Sequence, residues 1–118
     1  MGYKDLTVWQ KSINFTVDIY ILTQTFPKEE LYGLISQIRR AAVSIPSNIA
    51  EGNERNSKKE FNHFLHIALG SAAELGTQLL IAKELSYIEQ STFNTIESRL
   101  TEIQKLIHGL IKTVEGRC

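Results

Sequence analysis

Arg40, Ser44, Asn48 and Glu51 follow one another at spacings of four, four and three, which sets a guanidinium, a hydroxyl, an amide and a carboxylate on one stripe of a helix. The opposite side of that helix carries Ala42, Ile45 and Ile49. Groups of this kind hydrogen-bond and pair charges; none is a nucleophile beside a base. Ser71 and Glu74 form a second polar group among Gly70, Ala72 and Ala73, whose small size lets two backbones approach. If the two segments are antiparallel helices joined at residues 52–56, Arg40 lies level with Gly70 and Ser71, with Glu74 one turn away. The spacing then predicts a buried or half-buried Arg40–Glu74 ion pair, with Ser44, Asn48, Glu51 and Ser71 around it, that fixes helix register. The same groups could instead line a ligand pocket or face solvent.

Catalytic patterns are missing elsewhere. Glu60 and His63 have the Glu-x-x-His spacing of di-iron bundles, but those sites need a second copy and two further inward carboxylates. His63 and His66 are three apart without a third ligand, and His108 stands alone. No Gly-rich phosphate loop, HExxH motif or nucleophile with a base and orienter occurs. The chain is therefore expected to be no enzyme, with no cofactor, no metal and no small-molecule substrate. Trp9, Tyr20, Tyr32, Phe61 and Phe64 recur at helical spacing and read as packing residues.

These residues need helices to position them, and the sequence offers four. Its 118 residues suffice for one domain, 1–118, that buries a core without crosslinks. Thirteen basic side chains cancel thirteen acidic ones, which argues against a polyanion-binding surface along the whole chain. The single cysteine, Cys118, reads as an inert tail residue, and with no signal peptide or long apolar run the expected location is the cytoplasm, with no membrane contact.

Asp5 can cap a first helix in which Leu6, Trp9, Ile13, Val17 and Tyr20 make one apolar stripe, while Val8, Phe15, Ile19, Leu22 and Phe26 make another. A surface helix needs one such stripe. We assign the second, at Val8, Phe15, Ile19 and Leu22, to an interface between copies of the chain. Phe26-Pro27 ends this helix, and a second runs from about Lys28 to Glu51, kinked near Pro46, which removes a donor and crowds the Ala42 carbonyl; Gly52 is the expected stop. Ser57-Lys58-Lys59-Glu60 reads as a capping box for helix three, which is expected to bury Phe61, Phe64, Leu65, Ala68, Leu69, Ala72, Leu75 and Leu79. Phe93, Ile96, Leu100, Ile103, Ile107, Leu110 and Val114 keep period across helix four. The short breaks predict an all-α, antiparallel up-down-up-down four-helix bundle.

That topology sorts the charges. The end holding the termini and the turn between helices two and three collects eight basic groups, among them Lys11, Arg55, Lys58, Lys59 and Lys112, against five acidic ones. In a cyclic oligomer every copy points the same way, so this excess would become a basic ring suited to nucleic acid.

Taken together, Asp5-Leu6 with Val8-Trp9-Gln10, Phe26-Pro27, the run from Gln37-Ile38-Arg39-Arg40 through Pro46-Ser47-Asn48-Ile49-Ala50-Glu51-Gly52, and Ala68-Leu69-Gly70-Ser71-Ala72-Ala73-Glu74-Leu75 resemble the four-helix bundle proteins encoded in intervening sequences of bacterial 23S ribosomal RNA. The resemblance spans nearly the whole chain. It implies a cytoplasmic bundle that assembles into a homo-pentamer. A related branch, the accessory proteins of diversity-generating retroelements, binds a reverse transcriptase and nucleic acid through a basic surface. Arg40, Ser44, Asn48, Glu51, Ser71 and Glu74 carry over as structural or assembly positions. The expected function is a homo-oligomeric scaffold for RNA or a ribonucleoprotein, with a protein-binding accessory that touches no nucleic acid as the alternative.

Overall fold

The computed structural model describes residues 2–116, so the readings placed on Arg117 and Cys118 lie outside the described residues. A short 3-10 turn, Tyr3–Asp5, leads into α1, Thr7–Thr23. A second turn, Lys28–Glu30, precedes α2, Leu34–Glu54, and then follow α3, Lys58–Glu84, and α4, Gln90–Val114. The described residues contain no strand. The four helices pack as a bundle of 44 × 25 × 20 Å. Among the described residues, α1 packs on α2 and α4, and α3 packs on α2 and α4, leaving α1 and α3 diagonally opposed.

Of the residues their periods select, α3 buries Leu65, Ala68, Ala72, Leu75 and Leu79 and α4 buries Phe93, Ile96, Leu100, Ile103 and Ile107, whereas Phe61, Phe64, Leu69, Leu110 and Val114 are only partly buried. By length and hydropathy alone α3 is apolar enough to cross a bilayer, which departs from the expectation that no such run exists. In the bundle 33% of that apolar stretch is buried, on the side that carries Leu65, Ala68, Ala72, Leu75 and Leu79.

Helix α1 corrects the reading of its two stripes. Val8, Phe15 and Ile19 are core residues, with Phe15 only 1% exposed, and Leu22 packs against the same core. They cannot meet a second copy without unfolding the first. The outward side holds Val17, Tyr20 and Ile21, with Trp9 and Ile13 half-buried. Two hydroxyl residues disguised the inner stripe. Ser12 and Thr23 are both 1% exposed, and they are tolerated there because each turns its hydroxyl onto its own helix: Ser12 donates to the Trp9 carbonyl at 2.9 Å, Thr23 to that of Ile19 at 2.9 Å.

Helix ends also differ from expectation. Asp5 belongs to the opening 3-10 turn, and Leu6 occupies the N-cap of α1 with no side-chain bond. Helix α2 begins at Leu34 rather than near Lys28, because Gly33 breaks the backbone there and the Glu30 carboxylate accepts the Leu34 N–H at 3.2 Å. The other Glu30 oxygen accepts the Tyr87 hydroxyl at 2.9 Å, so one side chain ties the α1–α2 connection to the turn after α3. That bond holds the Tyr87 phenol above its ordinary value of 10.0, with desolvation and the Glu30 charge adding to it. Since a raised phenol contributes its stability below the unfolded value and loses it as pH climbs through the folded one, stability should begin to fall as pH rises above about 10. Tyr87→Phe is expected to remove that alkaline component, as urea melts at pH 9 and 11 would reveal.

Gly52 is no helix stop. It lies inside α2, and the left-handed residue beyond the helix is Asn56, at φ 58°, a type that tolerates this conformation. The reason for glycine at 52 is space. A Cβ there would sit 2.6 Å from Cβ of Phe64 and 3.1 Å from Cδ1 of Phe61. Ser57 caps α3 by accepting the Glu60 N–H at 3.3 Å, and the Glu60 carboxylate turns toward Arg55 at 3.7 Å.

Candidate assembly and nucleic-acid surfaces

Contacts between α2 and α3 step backwards along the first as they step forwards along the second, from Gly52 against Phe61 and Phe64 to Ser44 against Ser71. On this seam the Ser71 hydroxyl donates to Ser44 Oγ at 2.9 Å, and the Asn48 amide donates to the Ser44 carbonyl at 2.7 Å and to Ser44 Oγ at 2.9 Å. Three of the six polar residues read from the sequence therefore form one network.

The other three do not join it. Arg40 and Glu74 are both exposed, and neither has an ion-pair or hydrogen-bond partner among the described residues. Four residues along a helix is about 40° more than a full turn, so Arg40 is swung away from the edge that Ser44 presents to α3. Glu51 pairs along its own helix with Arg55 at 2.7 Å, on the surface. The register is set by hydroxyls and packing at Gly52, without a buried ion pair.

Helix α2 is continuous through Pro46. Proline has no N–H to offer the Ala42 carbonyl; the Thr16 hydroxyl of α1 approaches that carbonyl at 3.2 Å, sharing its single proton with the Ser12 carbonyl of its own helix at 2.7 Å. The freed acceptor was readable from sequence; its donor was not. Arg39, adjacent to the motif, also links these helices: Nε donates to Thr23 Oγ1 at 2.8 Å, Nη2 donates to the Tyr20 carbonyl, and the guanidinium lies 4.6 Å over the Tyr20 ring.

Two apolar surfaces remain after the core has formed. One runs along α1, where Val17 is 54% and Ile21 57% exposed, with Tyr20 beside them and Val43 exposed on α2. The second runs along α3 through Ile67 and Ile81 to Leu85 just beyond its end, with Leu80 exposed on another side of the helix. They lie on diagonally opposed helices.

At the basic end the five expected cations differ in availability. Arg55 is held by Glu51 and Glu60 and lies 5.1 Å over the Phe64 ring; the Glu51 hydrogen bond raises its already high pKa further. Lys11 is paired with Glu102 of α4 at 3.5 Å. Lys58, Lys59 and Lys112 are exposed with no ion-pair partner among the described residues. Lys58 lines a cleft of about 410 Å³ shared by the α2–α3 connection and the last turn of α4 at Thr113 and Val114. No three His, Cys, Asp or Glu side chains among the described residues converge as a metal site requires.

The hydroxyl–amide seam between α2 and α3, the surface cations without ion-pair partners and the exposed apolar side chains of α1 and α3 all belong to one all-α four-helix bundle. The chain matches the 23S rRNA-intervening sequence protein family over residues 4–109, and it belongs to that family. A solved protein of unknown function from the S23 ribosomal protein family of Bacteroides thetaiotaomicron VPI-5482 is 34% identical, covers 92% of this chain and 98% of its own, and superimposes with a TM-score of 0.84. No curated protein matches. Neither description names a reaction.

Proposed function

We propose that the protein is a non-enzymatic assembly module of the cytoplasm: copies of the bundle associate into a ring, and the ring scaffolds an RNA or ribonucleoprotein partner. The observation that carries this reading is the outer stripe of α1, which stays in water although the four-helix core is complete. Large apolar side chains grouped this way mark a surface that another protein covers. The exposed stripes lie on α1 and α3, which do not pack on each other, so a contact of one with the other would join copies through unlike surfaces, the contact type that closes into rings. The pentamer implied by the family resemblance is such a ring. Light scattering of the purified protein tests the assembly, and a stable single-copy particle at micromolar concentration would end the proposal.

The nucleic-acid part rests on Lys58, Lys59 and Lys112, which a ring of parallel copies would gather at one end. Replacing Lys58→Glu together with Lys59→Glu is expected to weaken RNA binding and to flatten the dependence of log K on log salt by about two contacts per copy. Unchanged affinity and slope across a salt titration would remove RNA from the proposal. The pairing of Lys11 and Arg55 with carboxylates favours a second reading, a protein-binding accessory. A partner polypeptide retained after nuclease treatment would select it.

A further inference from the structure

The cleft at the basic end has a wall built by close packing. Gly52 has no side chain, so the Phe61 ring lies against the α2 backbone, with Cδ1 only 3.1 Å from the position a Cβ of residue 52 would take. Beyond α2 the chain passes through Asn56, at φ 58°, and the last turn of α4 contributes Thr113 and Val114. The space they enclose is about 410 Å³, within the range of about 300–1,000 Å³ that small-ligand sites occupy.

Three kinds of group line it. Phe61 and Val114 offer apolar surface, the first of them an aromatic ring. Asn53 and Asn56 offer carboxamides, each both donor and acceptor, and neither side chain has a hydrogen-bond partner among the described residues. Lys58 offers an ammonium without an ion-pair partner among the same residues. None of the lining residues is acidic: Glu54 and Glu115 adjoin the cleft in sequence without lining it, and Glu51 and Glu60 are held by Arg55.

A flat ring with hydrogen-bonding groups on its edge, joined to an anion, would satisfy all three kinds at once, and a nucleotide is built that way. Carboxamides bond base edges at two points, and aromatic side chains accept a base on their face. In a duplex the base is paired and stacked, so only an unpaired strand could present it to a concave site. Lys59 follows Lys58 and Lys112 precedes Thr113, both exposed and without ion-pair partners among the described residues, so two more cations adjoin the lining where neighbouring phosphates of a strand would run. A free mononucleotide would leave them unused.

We propose that this cleft takes one nucleotide of an unpaired RNA strand, its base against Phe61 and Val114, its edge bonded by Asn53 and Asn56, and its phosphate on Lys58. The assignment rests on the RNA reading above and adds the site and the form of RNA it takes.

Fluorescence anisotropy with a labelled RNA of unpaired mixed sequence, and with the same strand annealed to its complement, tests the cleft. Wild type should bind the single strand at least about tenfold more tightly than the duplex, the margin expected of one stacked base. Asn53→Ala together with Asn56→Gly should weaken single-strand binding at least about fivefold and leave duplex affinity and the salt slopes unchanged, because the amides carry no charge. Glycine keeps the left-handed backbone at 56, and Asn53→Ala alone, inside α2, is read the same way should the double change disturb helicity. Lys58→Glu with Lys59→Glu should instead weaken both RNAs and flatten both slopes. A wild type that binds the duplex as well as the single strand, or an asparagine variant that binds the single strand normally, overturns the cleft and leaves RNA binding standing. A wild type that binds neither removes both.

Discussion

Gly52→Ala is expected to lower stability by about 2 kcal/mol, with a fall in Tm on the order of 10 °C. In an ordinary helix interior the change would help, because alanine is favoured over glycine by about 1 kcal/mol. Here the added carbon would meet Cβ of Phe64 at 2.6 Å, a distance real structures do not show, and that atom cannot rotate away because it is attached directly to the α3 backbone. The helices must separate locally, disturbing the packing of Phe61 and Phe64, and overpacking of this sort costs roughly 1–3 kcal/mol. Gly109→Ala is the matched control. It lies within α4 with nothing within 4 Å of its missing side chain, and should stabilise by about 0.5–1 kcal/mol. Equal stability of the two variants in urea melts would show that α2 and α3 do not approach as closely as the geometry requires.

Gly52 also shows where reading a sequence succeeds and where it stops. A glycine after an apolar-periodic run is reasonably taken for a helix end, because the left-handed residue past a helix is most often glycine. The actual left-handed residue is Asn56, and what distinguishes the positions is the proximity of α3, a tertiary fact. The four helices were legible because α3 and α4 carry long, uninterrupted periods, and the Ser57 cap because capping is local chemistry. Of the polar motif, Ser44, Asn48 and Ser71 were legible as a network, since small side chains on facing helices have few other places to bond. The Arg40–Glu74 pair failed as an internal contact because level numbers fix height along the axis and leave rotation about each helix open. Lys11 and Arg55 were counted as free cations, whereas their carboxylate partners come from α4 and from neighbouring turns of α2 and α3.

The start of α2 failed for a different reason. Glu29 and Glu30 after Pro27 look like the first turn of a helix, and they do form a single 3-10 turn. Yet Glu30 serves the following helix from outside, by capping Leu34, while its second oxygen is occupied by Tyr87 from 57 residues away. A carboxylate with one local and one distant duty looks the same in sequence as one favouring a helix dipole.

Phe15→Asp and Val17→Asp should have opposite consequences, although the two positions are two residues apart in sequence. Phe15 is in the core, where losing the aromatic ring alone costs about 3–5 kcal/mol and burying a carboxylate adds several more. Against a total stability of about 5–15 kcal/mol for a typical domain, the expected result is loss of helicity and of any cooperative melt. Val17 is 54% exposed on the outer stripe, so an aspartate there should change the stability of a single copy by no more than about 0.5 kcal/mol. Its effect should appear in mass: a folded protein, helical by circular dichroism, that sediments as fewer copies than wild type. An apolar count ranks these positions the other way, since Leu6, Trp9, Ile13, Val17 and Tyr20 form an unbroken stripe whereas the inner one is interrupted by Ser12 and Thr23. What decides the orientation is that hydroxyl groups on a helix can bond their own backbone and enter a core, while an isoleucine at an interface needs no such provision. A folded Phe15→Asp variant with an unfolded Val17→Asp one would mean that α1 is rotated by half a turn, and with it every surface assigned to assembly.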